Sequence, residues 1–197
     1  MTENQTESMI HLPDTTEIES AYQQAKYRKG FLEAIRSTAF MLVVVAAFAV
    51  LVAVLFLPIL RIYGHSMKGT LDSGDIVVSV KSNDFEQGDI VAFYYNNNIL
   101  VKRVIAEPGD WVDMDKDGTV YVNQKKLIEP YLTEKAYGET NITFPYQVPE
   151  NRIFVMGDNR EVSIDSRNTS IGTVSDEQIV GKLLFKIWPL QEMKKIK

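Results

Sequence analysis

Ser66 and Lys102 are the residues of this chain whose types and surroundings could perform covalent chemistry. Ser66 lies in the run Gly64-His65-Ser66-Met67, with a further glycine at position 69, which predicts an exposed turn that leaves the hydroxyl available for attack. Taken alone this signal is weak, because a serine in a turn commonly does no more than hydrogen-bond to backbone groups. The chain has no cysteine, so thiolate nucleophiles, disulfides and thiolate metal ligands are excluded.

Lys102 lies inside an apolar run, residues 99–105, which predicts a β-strand. Side chains alternate along a strand, so Lys102 shares a face with Leu100 and Val104. Arg103 points the opposite way, and one of the two cations must therefore face apolar surroundings. A strand lysine commonly extends along its own stem to water. If Lys102 is instead desolvated, its pKa falls, and a fall of about two to three units gives a usable base near neutral pH.

Histidine, the usual base for a serine nucleophile, is badly placed in this chain. His65 is the immediate neighbour of Ser66, and adjacent side chains in extended backbone point apart. His11 lies across the predicted membrane span described next. A Ser-His-Asp triad is thus disfavoured, and a Ser-Lys pair is the remaining way to activate the serine. Two separated histidines also argue against a multi-histidine metal site, so we expect no metal and no cofactor.

A long uncharged run, residues 37–60, predicts a transmembrane helix. At about 1.5 Å per residue it can cross a hydrocarbon core of roughly 30 Å. It is longer and later than a cleaved secretory signal, although Ala47-Phe48-Ala49 in its middle resembles a cleavage site. Four cations precede the run closely and three follow at greater average distance, namely Lys26, Arg28, Lys29 and Arg36, then Arg61, Lys68 and Lys81. This bias favours a cytoplasmic N-terminus.

The span divides the chain into three predicted parts. Residues 1–36 form a cytoplasmic tail, whose first 25 residues are polar and acidic and predict a mobile segment. Residues 37–60 form the transmembrane helix, and residues 61–197 form an extracytoplasmic, mostly β domain with an antiparallel sheet. The predicted strands are 76–80, 90–95, 99–106, 111–114, 120–122, 153–156 and 180–188, with turns at Asn96-Asn97-Asn98 and Asp117-Gly118. A net charge of -5 with both signs interspersed argues against a nucleic-acid partner.

Three segments together resemble type I signal peptidases. They are Gly64-His65-Ser66-Met67-Lys68-Gly69-Thr70-Leu71 with Gly74-Asp75, Val101-Lys102-Arg103-Val104-Ile105 with Pro108-Gly109-Asp110, and Met156-Gly157-Asp158-Asn159-Arg160 with Ser163-Ile164-Asp165-Ser166-Arg167. Each segment alone is unspecific, but their order and spacing after a membrane span cover most of residues 58–185. The single span, compact outer domain and lack of cysteine look most like the Gram-positive branch of that family.

The resemblance implies a membrane-bound serine endopeptidase that removes signal peptides from secretory preproteins after small residues at positions -3 and -1. It implies Ser66 as nucleophile, Lys102 as general base and Ser163 as the hydroxyl that orients the lysine. Asp158, Asp165 and Arg167 match positions that hold the site's architecture, with a salt bridge expected among them.

The resemblance also implies an oxyanion hole built on the Ser66 backbone N–H, a donor typically worth about 3 to 4 kcal/mol. Some relatives add a hydroxyl two residues before the nucleophile, whereas this chain has Gly64 there, so a second donor must come from the backbone. A second departure is Gly69, where the family usually has proline; glycine loosens a turn that proline would rigidify.

The apolar residues around the end of the span predict contact with the lipid bilayer, either as ordinary interfacial anchoring or to bring the site to the depth of the cleavage point. They are Phe56, Leu57, Ile59, Leu60, Ile62, Tyr63 and Met67.

Three other functions compete with a signal peptidase. The first is a signal-peptidase-like assembly factor for surface pili, which acts on or chaperones pilin subunits; the retained Ser66 and Lys102 favour an enzyme instead. The second is a self-cleaving Ser-Lys repressor, which would need a DNA-binding module where this chain has a membrane span. The third is a substrate-binding lipoprotein or adhesin, which lacks its lipidation cysteine here.

Overall fold

The computed structural model describes residues 14–82 and 84–196, apart from the side chains of Leu55 and Phe56. The described chain begins with one helix, α1 (Thr15–Phe56), of 42 residues. This helix is long and apolar enough to cross a membrane. It ends just before Pro58, which disfavours helical backbone at the preceding residue. The contacts divide the chain into two compact units between Val52 and Ala53.

The helix corrects two sequence predictions. Residues 15–25 are helical, whereas the acidic composition predicted a mobile segment; the rest of that segment, residues 1–13, lies outside the described residues. The predicted transmembrane helix was also four residues too long at its end, because residues 59 and 60 already belong to the first strand. The assignment of residues 1–36 to the cytoplasm stays a prediction.

The second unit is built from short strands. They are β1 (Ile59–Arg61), β2 (Ile76–Val80), β3 (Ile90–Tyr95), β4 (Asn98–Ala106), β5 (Trp111–Met114), β6 (Val120–Val122), β7 (Lys125–Lys126), β8 (Tyr146–Gln147), β9 (Arg152–Met156), β10 (Val174–Ser175), β11 (Ile179–Trp188) and β12 (Lys194–Lys195). Two 3-10 turns, Asp176–Gln178 and Leu190–Glu192, flank β11. The predicted mostly β domain is therefore confirmed.

The strands form two antiparallel sheets. The larger has eight strands in the order β1-β2-β11-β3-β4-β9-β10, with β12 paired to β11, and the smaller has the order β7-β6-β5-β8. The β3–β4 hairpin closes with Tyr95 opposite Asn98, and Asn96 takes a positive φ of 51° at the predicted Asn turn. Asn tolerates this left-handed conformation better than most residues.

The larger sheet is covered on both faces, and this decides the environment of the predicted base. Along β3, Ile90 and Ala92 belong to one buried apolar cluster, whereas Val91 and Phe93 belong to another. The neighbouring strand β4 is consequently buried along its second half, whichever way its side chains point. The sequence predicted one cation of β4 in apolar surroundings, and the structure buries both of them.

Candidate active site

Lys102 is buried in the middle of β4 without a charged partner. Lys102 is 3% exposed, and its ammonium makes no hydrogen bond or ion pair with any of the described residues. Burial lowers the pKa of Lys102 to about 8, although the negative charge of Asp165 opposes the shift. Lys102 thus meets the desolvated alternative that the sequence left open, and a substantial neutral fraction exists near physiological pH.

The pairing of β4 with β9 brings the lysine beside Gly157. Arg103 pairs with Met156 in this ladder, so the register continued by one residue sets Lys102 next to Gly157. A Cβ atom at Gly157 would stand 2.2 Å from the Ser163 hydroxyl oxygen and 2.5 Å from the Ser66 carbonyl oxygen. Only glycine fits this point of close approach. The Ser66 backbone and the Ser163 side chain therefore approach each other at Gly157, and Lys102 lies opposite the same glycine on the neighbouring strand.

The Ser163 hydroxyl is fully buried, and its oxygen has no hydrogen-bond partner within the described part of the chain. It nevertheless lies near enough to the Asp165 carboxylate to help lower the pKa of that group. Buried hydroxyls are normally satisfied, so an unpaired one in a site calls for an explanation.

The turn that carries Ser66 is anchored from two sides. Met67 and Leu71 are buried in the apolar core, and the Leu71 N–H donates to the Met67 carbonyl at 2.8 Å. From the other side Asn159 donates its backbone N–H to the Ser66 carbonyl at 2.9 Å and its side-chain amide to the His65 carbonyl at 3.1 Å. Ser66 itself is half-buried, and its own N–H has no acceptor among residues 14–82 and 84–196.

Gly64 and Gly69 bracket this turn with positive φ angles of 89° and 103°. Nothing lies within 4 Å of the place where a Gly64 side chain would begin, so this side of Ser66 is open. The conformation at Gly69 is one that proline, with φ near -65°, cannot adopt. Gly69, which stands where the family usually has proline, therefore has a backbone conformation that a proline could not adopt.

Asp158 is held by a residue that the sequence analysis did not include in the site. Its carboxylate accepts two hydrogen bonds from Arg103, from Nε at 2.9 Å and from Nη2 at 2.7 Å, and a third from the Thr70 hydroxyl at 2.5 Å. Both charged side chains are almost fully buried. Thr70 lies in the turn of Ser66, so this network ties the turn to β4 and to residue 158.

Asp165 and Arg167 form the salt bridge that the resemblance implied. Arg167 donates from Nε at 2.8 Å and from Nη2 at 2.9 Å, and the Gly157 N–H donates to the same carboxylate at 3.0 Å. Burial alone would raise the pKa of Asp165, but the hydrogen bonds and charge of Arg167 outweigh burial and lower it. The pair thus holds a permanent carboxylate against the backbone of Gly157.

Three contributors to the site, Arg103, Asn159 and Gly157, were not predicted from the sequence. Asn159 and Gly157 belong to the quoted Gly157-Asp158-Asn159-Arg160 segment, so their position beside Asp158 was a usable signal. No pattern indicated that Arg103 would be buried together with Lys102.

The predicted bilayer contact is partly corrected. Ile62 and Met67 are buried in the apolar core, so they cannot rest on lipid. Leu57, Ile59 and Tyr63 are exposed, by 38%, 62% and 77%. The side chain of Phe56 is not among those that the structure describes.

A cleft of about 530 Å³ adjoins the turn of Ser66. Lys68, Gly69, Thr133 and Asn159 are among the residues that line it, whereas Ser66 and Lys102 are not.

Among the described residues no three His, Asp or Glu side chains are grouped so that they could hold a metal ion.

The mostly β domain holds a serine in an anchored turn and a buried lysine with a lowered pKa, and comparison with known proteins gives the family. Residues 34–188 match the family described as signal peptidase, peptidase S26. Signal peptidase IB of Staphylococcus aureus (strain COL) is 41% identical over 153 residues, which cover 68% of this chain and 78% of that protein. Signal peptidase I of Bacillus amyloliquefaciens is 39% identical over 145 residues, covering 68% and 77%.

A crystal structure of a signal peptidase I from Enterococcus faecalis V583 is also similar, with a TM-score of 0.44 and 33% identity over 51% of this chain and 97% of that one. On the family match and the identity to these relatives, the chain belongs to the type I signal peptidases of peptidase family S26. The staphylococcal and bacillar relatives fit the Gram-positive branch that the sequence resembled.

Proposed function

We propose that this protein is a membrane-bound serine endopeptidase that removes signal peptides from secretory preproteins after small residues at positions -3 and -1, with Ser66 as nucleophile and Lys102 as general base. Family membership supports the substrate class and the hydrolysis of a peptide bond. The observation that carries the assignment of the base is the burial of Lys102 without a charged or hydrogen-bonding partner among the described residues.

The lowered pKa of Lys102 makes the base available. With a pKa of about 8, roughly a tenth of the lysine is neutral at pH 7, against less than about one part in a thousand for an ordinary lysine. No other side chain is needed to take the proton.

The reaction runs in two halves. Neutral Lys102 Nζ takes the proton from Ser66 Oγ as this oxygen attacks the scissile carbonyl carbon, and the resulting ammonium returns the proton to the leaving amine as the C–N bond breaks. A water molecule then gives its proton to Lys102 and attacks the acyl carbon, and the proton passes back to Ser66 Oγ as the ester bond breaks. The signal peptide leaves with a free carboxylate.

The negative charge on the carbonyl oxygen is stabilised by the backbone N–H of Ser66, which has no competing acceptor among the described residues. A preorganised donor of this kind is typically worth about 3 to 4 kcal/mol. Gly64 supplies the second donor from its backbone, on the open side of the turn.

Ser163 orients the base, and Asp158, Asp165 and Arg167 hold the framework. The unpaired hydroxyl of Ser163 is available to accept a hydrogen bond from the neighbouring lysine, which would fix Nζ toward Ser66. The Asp158 and Asp165 ion pairs fix the backbone on both sides of Gly157.

The membrane setting follows from α1 and from the apolar residues that come after it. We infer that α1 spans the cell membrane with the N-terminus in the cytoplasm and the β domain outside. Exposed Leu57, Ile59 and Tyr63 then contact the bilayer surface. The relatives reported above are named as signal peptidases, and pilus assembly is therefore not proposed.

Cleavage of a purified preprotein with an Ala-x-Ala site tests the proposal, using the full chain in detergent micelles beside Ser66→Ala and Lys102→Ala. We expect the parent to cleave at that site and both variants to lose activity while keeping the circular dichroism spectrum of the parent. A folded parent that leaves several preproteins intact would refute the peptidase, and cleavage by Ser66→Ala would refute the nucleophile.

A further inference from the structure

Three fully buried arginines surround the site, and one segment of the chain touches all of them. Arg103, Arg160 and Arg167 are each at most 1% exposed. The segment is residues 129–138, which lie between β7 and β8 of the smaller sheet. It contacts Arg160 through Glu129, Arg103 through Tyr131 and Arg167 through the carbonyl of Tyr137. Nothing in the sequence analysis assigned this segment a role.

Glu129 and Arg160 form a buried ion pair. The Glu129 carboxylate accepts from both terminal nitrogens of Arg160, and the two side chains are 2% and 0% exposed. Arg160 also donates from Nε to the Gly157 carbonyl at 3.1 Å. When the partner of a buried cation loses its charge, the buried position of that cation becomes strongly unfavourable. The place of the Arg160 guanidinium, and with it the Gly157 carbonyl, therefore depends on Glu129.

Tyr131 fixes the carboxylate of Glu129. The two residues belong to a tight turn in which the Leu132 N–H donates to the Glu129 carbonyl at 3.2 Å, with Pro130 between them. The Tyr131 hydroxyl donates to Glu129 at 3.0 Å, and its ring lies 3.8 Å from the Arg103 guanidinium. Burial, and then the charge of Glu129, raises the pKa of Tyr131, so the phenol stays protonated and able to donate.

The same segment adjoins the turn of the nucleophile. A Cβ atom at Gly69 would stand 3.0 Å from the Thr133 hydroxyl and 3.8 Å from the Tyr131 carbonyl. A displacement of residues 129–133 would therefore shift the Ser66 turn directly, through the contacts at Gly69, and also indirectly through Arg160.

We propose that Glu129 is a positioning residue of the peptidase, which acts through Arg160 on Gly157 and so on the mutual placement of Ser66 and Ser163. The link rests on one glycine, because the point where its Cβ would stand is 2.2 Å from the Ser163 hydroxyl and 2.5 Å from the Ser66 carbonyl. This inference rests on the proposed function, since it needs Ser66 to be the nucleophile. Glu129 itself touches neither the substrate nor the reacting atoms.

The test compares Glu129→Gln with the parent and with a matched control, Glu150→Gln, in cleavage of the Ala-x-Ala preprotein by the full chain in detergent. Glu150 is exposed and makes no hydrogen bond or ion pair among the described residues. We expect Glu129→Gln to lower kcat roughly ten- to a hundredfold, as small misplacements of reacting groups do, with KM within about twofold of the parent. Glu150→Gln should keep both constants within about twofold.

Glu129→Asp and Tyr131→Phe make the test independent of one variant's folding. Glu129→Asp keeps the charge at a shorter reach and should recover part of the lost kcat. Tyr131→Phe removes a single hydrogen bond to Glu129 and keeps the ring over Arg103, so kcat should fall by about threefold with the fold intact. All rates are compared per folded molecule, from circular dichroism and thermal unfolding.

Parental kcat in folded Glu129→Gln would overturn the inference, as would a loss explained entirely by fewer folded molecules. If Glu129→Gln does not fold, parental kcat in Tyr131→Phe overturns it in the same way. These outcomes leave the proposed function standing as long as the parent cleaves and Ser66→Ala does not. Cleavage by Ser66→Ala would overturn the proposed function and this inference together.

Discussion

Replacing Lys102 with methionine should change how the stability of the protein depends on pH. The lysine is 3% exposed and its pKa is lowered from 10.5 to about 8, mainly by burial. Between these two values the folded state has released the proton and the unfolded state still holds it. Unfolding then takes up a proton, so raising the pH stabilises the folded parent; methionine has no proton to exchange.

The size of the effect follows from the two pKa values. At pH 7 the folded parent bears nearly the whole cost of a buried ammonium, about 3 kcal/mol, because one pKa unit corresponds to about 1.4 kcal/mol. At pH 10 most of that cost is gone. The free energy of unfolding of the parent, relative to Lys102→Met, should therefore rise by about 2.5 kcal/mol from pH 7 to pH 10.

Denaturant unfolding of the full chain in detergent micelles, at pH 7, 8, 9 and 10, measures this difference. Lys116→Met is the control, since Lys116 is exposed and should give a difference that changes by less than about 0.5 kcal/mol. A pH-independent difference between the parent and Lys102→Met would refute the reasoning, because it would mean that the buried lysine keeps its ordinary pKa in the folded state.

Three further substitutions test the site. Ser163→Ala removes a buried hydroxyl that has no hydrogen-bond partner among the described residues but lies near the Asp165 carboxylate. We expect kcat to fall roughly ten- to a hundredfold while the free energy of unfolding changes by less than about 1 kcal/mol; a larger loss of stability would contradict this account. Gly157→Ala places a methyl group 2.5 Å from the Ser66 carbonyl and should abolish cleavage, whereas Gly30→Ala, with nothing within 4 Å, should cleave like the parent. Gly69→Pro imposes a φ near -65° where the backbone has 103° and should lower both thermal stability and activity; parental values in both assays would show that the turn can take the family's conformation.

The strands were predictable because their residues carry a local signal. Ile76–Val80, Ile90–Tyr95 and Trp111–Met114 have the predicted bounds, since β-branched and aromatic residues are bounded there by Gly, Asn and Asp. The two-residue strands Lys125–Lys126 and Lys194–Lys195 were missed. Lysine pairs have no strand preference of their own, and these residues are extended only because a neighbouring strand pairs with them.

The start of the helix was missed for a related reason. Residues 15–25 were predicted as mobile from their acidic composition and lack of an apolar period, yet Glu, Gln and Ala favour helical backbone. Continuity with the long apolar run extends the helix backwards, because propagation of a helix costs far less than its nucleation.

The sequence could name candidate site residues but not the contacts that connect them. Ser66 and Lys102 were singled out from residue type and surroundings, and Ser163 from the resemblance. The structure brings the Ser66 carbonyl and the Ser163 hydroxyl close to Gly157, with Lys102 opposite this glycine in the register. The partner of Asp158 was not predictable, since Arg103 should have faced the opposite side of β4 from the buried lysine. Both are buried because packing covers both faces of the sheet, and strand alternation alone cannot indicate that.

The pH dependence of cleavage tests the central claim, a neutral Lys102 as base, most directly. The single-turnover rate of Ala-x-Ala preprotein cleavage at saturating enzyme, measured from pH 5.5 to 9.5, should rise tenfold per pH unit and level off near pH 8, where Lys102 becomes mostly neutral. A rate that is flat across this range, or that still rises tenfold per unit at pH 9.5, would contradict the assignment of Lys102 as the base.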